Sequence, residues 1–202
     1  MPRLAHLFLA VTVVALAISA PARAQVISEP APPAFPDPKK FARGLFASGE
    51  LGALVFLGRA GKFAGPGPIF GVRLGYDLFR WLALEARVIG SSSDATLPPP
   101  TVGQSFQTYV EAADARLSLQ LRRFGLFAAG GAGVAEISSN VLDAVGVTGG
   151  ARVSLAVTAG AGLDYHTLNR HFSLGLGADY LWLANFGKSH ALTAEVYLRY
   201  TR

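Results

Sequence analysis

Few residues in this chain are equipped for covalent chemistry. There is no cysteine, so thiol nucleophiles, disulfides and thiolate metal sites are excluded. Past the N-terminal stretch the histidines are His166, His171 and His190. No two of them stand at a metal-ligand spacing, and His166 and His171 flank a short turn. One His-x-Ser spacing, His171-Phe172-Ser173, would with a carboxylate make a base–nucleophile pair. The glycines alternate along segments instead of opening a helix, so no phosphate-cradling loop is present. What the chain does offer is charge at regular positions: Glu50, Arg73, Asp77, Glu85, Arg87, Asp114, Arg116, Asp164, Asp179, Glu195 and Arg199. Such a set can pair internally or line an ion path. Mixed signs on neighbouring segments favour a buried ion-pair network over a selectivity ring.

The elements that position these charges have a period of two. In Phe70–Leu78, Phe70, Val72, Leu74, Tyr76 and Leu78 alternate with Gly71, Arg73, Gly75 and Asp77. Leu82, Leu84, Ala86 and Val88 alternate with Ala83, Glu85 and Arg87. The same alternation runs through residues 111–121, 152–165, 172–182 and 192–200. Successive side chains of a strand point to opposite faces, so each segment reads as a strand with one apolar and one polar face. Residues 45–58 and the Ala/Gly-rich 124–137 complete a set of eight strands. Short turns fall near Leu78–Arg80, Arg122–Arg123 and His166–Arg170; longer loops fall at Arg59–Pro68, Ser91–Gln104, Ser138–Gly150 and Leu183–His190.

Two N-terminal segments stand apart. Arg3, the apolar run Leu4–Ala20 and the small-residue site Ala22-Arg23-Ala24 have the order of a cleaved signal peptide, residues 1–24. Residues 25–43 hold five prolines between Pro30 and Pro38 and read as an extended periplasmic linker. The barrel region is then 44–202. Charged residues make up only 15 % of the chain, against about 25 % in ordinary soluble domains, and hydrophobic residues 51 %. Bulk disorder is excluded. The net charge of +5 comes from scattered arginines in an exported chain, which does not fit a nucleic-acid partner.

Alternation alone would also suit a soluble sandwich with its apolar face inward. Three features oppose that. The polar face is rich in Gly, Ala and Ser, and Lys39, Lys40, Lys62 and Lys188 all fall outside the strands. The strands are long enough to cross a bilayer at the usual tilt, about 9–11 residues. Tyr76, Tyr109, Tyr165, Tyr180, Trp182 and Tyr200 lie on the apolar parity near strand ends, where interfacial aromatic girdles belong. The expected fold is all-β: an eight-stranded antiparallel up-and-down transmembrane β-barrel. Eight strands leave an interior that side chains fill, so the lumen is expected to be a packed polar plug.

The segment Gly71-Val72-Arg73-Leu74-Gly75-Tyr76-Asp77, followed by Leu82–Arg87, resembles a hairpin unit of the small bacterial outer-membrane β-barrels of the OmpA/OmpX type, and so does Gly175–Tyr180. The resemblance covers residues 44–202. It departs at the C-terminus, where Tyr200 is followed by Thr201-Arg202 instead of the terminal aromatic usual in the family. It implies export to the outer membrane, contact with outer-membrane lipid and with the barrel-assembly machinery, a monomer, and a role in envelope structure or surface or complex contacts through the loops. No cofactor and no metal are implied. Some barrels of this class deacylate lipid A with a His-x-Ser pair. Here Ser173 shares the lumenal parity of Gly175, Gly177 and Asp179, facing away from lipid, so a non-enzymatic protein is expected. The alternatives are a small-solute channel and a lipid-A-modifying enzyme.

Two registers are also expected. Pairing Glu85 with Arg116 and Arg87 with Asp114 directly across the third and fourth strands would avoid like charges opposite one another. Pairing the first strand with the last would set Arg199 opposite Glu50. The charged set carrying the network is then Glu50, Arg73, Glu85, Arg87, Asp114, Arg116, Asp179, Glu195 and Arg199.

Overall fold

A backbone in hydrocarbon has no water to bond, so a strand persists there only when both of its edges are paired. All eight strands meet that condition. A computed structural model of the protein describes residues 43–96, 104–138, 141–167, 171–187 and 189–202. The strands are β1 (Leu45–Leu57), β2 (Gly67–Asp77), β3 (Leu82–Ala95), β4 (Gln104–Leu121), β5 (Phe124–Ile137), β6 (Val153–His166), β7 (Phe172–Leu183) and β8 (Ser189–Thr201). Each pairs antiparallel with its neighbour in sequence, and β1 pairs with β8, so the barrel closes without an edge. The expected signal peptide, 1–24, lies outside the described residues, as does the linker up to residue 42.

The two faces divide as the period of two requires. Leu51, Phe70, Val72, Leu74, Leu84, Leu176 and Leu198 are all exposed on the outer surface. Their lumenal neighbours Glu50, Arg73, Glu85, Arg87, Asp179 and Glu195 are buried. A water-soluble barrel would invert this arrangement; an apolar belt facing outward fits lipid.

Three expectations change. First, several strands run further than the loops drawn from composition. Ser91–Ala95 belong to β3 and pair with 104–108 of β4, and Ser91 and Ser93 are buried inward. Gly67 and Pro68 lie in β2, and Leu183, Ser189 and His190 lie in strands. Small polar residues at strand ends look like loop in composition, yet serine at an inward position fits a narrow lumen well.

Second, the lumen is not polar throughout. Towards the long-loop end it holds an apolar core: Leu54, Phe56, Ile69, Ile89, Phe106, Val110, Ile137, Leu181 and Leu183. Phe56 and Phe106 meet with ring centroids 5.9 Å apart. The charged residues occupy the other half.

Third, the registers slip by two residues. Glu85 lies opposite Asp114, and Ala83 lies opposite Arg116. Arg199 lies opposite Ser48, and Glu50 lies opposite Tyr197. The cause is volume. In the observed register each arginine of this region faces an alanine, Arg116 against Ala83 and Arg87 against Ala112. Elsewhere glycine takes the alanine's place: Glu50 faces Gly71, Phe127 faces Gly162 and Tyr197 faces Gly175. A Cβ at any of these three glycines would overlap the large side chain opposite. In a narrow eight-stranded lumen, where overpacking is costly, a small residue beside each of these large ones relieves crowding.

Candidate functional site: the filled lumen and its cap

Slipping the register would leave like charges facing each other, were the lumen not narrow enough for side chains to reach across it. Arg73 on β2 shows how this is resolved. Its Nε donates to Glu50 at 2.6 Å, Nη1 to Glu85 at 3.2 Å, and Nη2 to Asp179 at 3.4 Å and to Glu195. One guanidinium thus ties β2 to β1, β3, β7 and β8. Arg87 lies directly opposite Arg73. It donates through Nη1 to Asp179 at 2.5 Å, and its Nε lies 3.3 Å from Asp114. The Thr158 hydroxyl donates to the other Asp114 oxygen. Five carboxylates therefore surround two guanidiniums in this middle layer.

A second layer lies nearer the short turns. Arg116 donates to Asp164 at 2.6 Å, and the Tyr197 hydroxyl both accepts from Arg116 at 2.9 Å and donates to Asp164 at 2.5 Å. The guanidinium also covers the Phe127 ring, 3.6 Å from its centroid, a cation–π contact. At the rim Arg199 grips both oxygens of Asp77, at 2.6 and 2.5 Å, and covers the Phe46 ring at 3.6 Å. All nine residues singled out in the sequence point into the lumen. Arg87 and Asp114 pair as expected, though not on one rung; the other pairings differ, Arg116 meeting Asp164 and Arg199 meeting Asp77, two acids that the sequence placed on the lumenal face.

The opposite end is capped. Leu142 and Val147, from the connection 138–152, and Phe186, from 184–187, are buried against the apolar core. Ala60 and Ala64 of the β1–β2 connection join them, and Arg59 donates to the carbonyl of Val145 at 2.9 Å. The short 3-10 turn Val141–Val145 is closed by Asp143, whose carboxylate accepts from the Gly150 N–H at 2.6 Å. Sequence reasoning missed this cap. The missed apolar core had a signal: Leu54 and Phe56 share the parity of Glu50.

The His-x-Ser spacing does not form a lipid-facing pair. Ser173 is buried in the lumen, on the rung between His166 and Arg199. His171 stacks on Tyr200 with centroids 5.8 Å apart, and its Nδ1 lies 2.7 Å from the Thr201 carbonyl. Among the described residues no group of three or more His, Asp or Glu is placed to hold a metal ion.

No protein-family model matches the chain, and no curated protein matches it. Solved structures do resemble it. Neisserial surface protein A, NspA, has a TM-score of 0.59 at 13% identity, over 81% of this chain and 100% of that one. OprG from Pseudomonas aeruginosa has a TM-score of 0.56 at 9% identity, over 82% and 99%. The outer membrane enzyme PagL has a TM-score of 0.47 at 16% identity, over 78% and 99%, too distant a likeness to bear on catalysis. Strand number, closure and the likenesses to NspA and OprG agree: the chain has the fold of the small eight-stranded barrels of bacterial outer membranes.

Proposed function

We propose that this is a monomeric, non-enzymatic outer-membrane barrel that works through its loops, contributing to envelope structure or to contacts with a surface or envelope-protein partner. Export by a cleaved leader at 1–24 and insertion by the barrel-assembly machinery belong to this reading. The observation that supports it is a lumen occupied by buried side chains at each level of the described residues. Two ion-paired layers, an apolar layer and an apolar cap succeed one another along the axis, leaving the long loops as the surface open to partners. The lumenal ion-pair set, Glu50, Arg73, Glu85, Arg87, Asp114, Arg116, Asp179, Glu195 and Arg199, acts as internal bracing.

Planar-bilayer recording of the refolded chain tests the closed lumen. No steady conductance is expected; reproducible ohmic steps would make the protein a small-solute channel. Mass spectrometry of lipid A from cells expressing the chain tests the absence of enzyme activity. Unchanged acylation is expected, and loss of an acyl chain that depends on Ser173 would overturn it.

A further inference from the structure

The two rims of the barrel differ in charge. At the short-turn rim Arg43, Arg80, Arg122, Arg123 and Arg202 are all exposed. None of the five forms an ion pair among the described residues. The acids nearest this rim, Asp77 and Asp164, turn inward and are held by Arg199 and Arg116. At the long-loop rim, exposed Arg59, Lys62 and Arg152 are matched in number by exposed Asp94, Glu136 and Asp143. Among the described residues, unbalanced positive charge is therefore confined to one end.

These arginines sit within an aromatic collar. Phe79 and Trp81 flank Arg80 and stack on each other, centroids 5.6 Å apart and planes 10° apart. Phe124, next to Arg123, packs on Tyr165 at 5.3 Å, and Phe172 packs on Tyr200, two residues before Arg202, at 5.1 Å. All six rings are exposed, and Phe124, Tyr165, Phe172 and Tyr200 lie on the outward-facing parity of their strands. Aromatic pairs of this kind settle at the headgroup boundary, which fixes the depth of the neighbouring guanidiniums at the level of lipid phosphates. Arginine presents a fork of donors matched to phosphate oxygens, and each basic residue near an anionic surface adds to the attraction.

We propose that the short-turn rim is a binding collar for anionic phospholipid headgroups, with Arg80, Arg122 and Arg123 as its phosphate contacts. Short turns mark the periplasmic side of outer-membrane barrels, so the ligand is an anionic phospholipid of the periplasmic leaflet. The surface is continuous with the apolar belt, and among the described residues no exposed acid opposes its charge. A lipid headgroup therefore fits it better than a soluble partner.

The test uses the refolded full chain in phosphatidylcholine vesicles. Electron paramagnetic resonance compares spin-labelled phosphatidylglycerol with spin-labelled phosphatidylcholine in the motionally restricted lipid shell. Phosphatidylglycerol should be preferred by at least about threefold at low salt, and less so at 1 M salt. The preference should fall to near unity in R80Q/R122N/R123Q, persist in R80K/R122K/R123K, and be unaffected by K62Q/R152Q. Asparagine is chosen at 122 because Arg122 has φ 58°, a conformation asparagine tolerates. Should the triple variant fail the heat-modifiability check for folding, R80Q alone gives the same reading with a smaller drop. No preference in the unaltered chain, or a preference that survives removal of the arginines, would overturn the proposal. So would binding of a soluble polyanion without selectivity for phosphatidylglycerol.

Discussion

Arg116 is the largest of the fully buried side chains among the described residues, 1% exposed, and both of its oxygen partners depend on it. Removing one member of a buried pair leaves an uncompensated charge, which costs about 3–5 kcal/mol, whereas replacing both by apolar groups is often near neutral. Arg116→Met should therefore lower the midpoint of the heat-induced gel shift strongly, and Arg116→Met/Asp164→Leu should recover most of the loss. Recovery by a change at Glu85 instead would restore the register expected from the sequence. Volume gives a second residue-scale expectation. Gly71→Val would drive a side chain into the Glu50 carboxylate, which Arg73 already holds. Overpacking of this kind costs about 1–3 kcal/mol, so the same midpoint should fall, and Gly49→Ala, whose added methyl meets nothing, should leave it unchanged.

At the scale of the strand, depth decides the cost of a charge. Leu84 lies on the lipid face but opposite Tyr76, close to the girdle. Leu176 is exposed midway between Phe172 and Tyr180, flanked by Leu163 and Val196. An arginine at the bilayer centre costs about 2–4 kcal/mol and one near the interface about 0–1. Refolding yields into vesicles should therefore fall far more for Leu176→Arg than for Leu84→Arg. Thr193→Val, buried in the lumen with a hydroxyl that has no hydrogen-bond partner, should fold as well as the parent. Equal effects of Leu176→Arg and Leu84→Arg would remove the lipid belt from this account. The faces were legible in the sequence because a period of two needs no partner strand: Leu82–Val88 declares its sides by itself. The registers were not legible. They depend on which large residue fits beside which small one, and on contacts such as Arg73 to Asp179 that span the barrel. Charge matching between adjacent strands is blind to both.

At the scale of the whole molecule, a closed sheet with its apolar face outward makes an inverted protein, with ion pairs at the centre and leucine at the surface. The apolar half of the lumen was within reach of the sequence, since Phe106 and Val110 share the parity of Asp114 on one strand. The cap was not, because Leu142, Val147 and Phe186 sit in connections without any period. The most direct test of the inverted arrangement uses the absence of cysteine. Single cysteines placed in turn at residues 82–89 of β3 carry a fluorophore, and the refolded protein is placed in vesicles containing a lipid-bound quencher. Labels at 82, 84, 86 and 88 should be strongly quenched, and labels at 83, 85, 87 and 89 should be weakly quenched or block folding. Quenching that is uniform along the strand, or strongest at the odd positions, would contradict the barrel's orientation towards lipid.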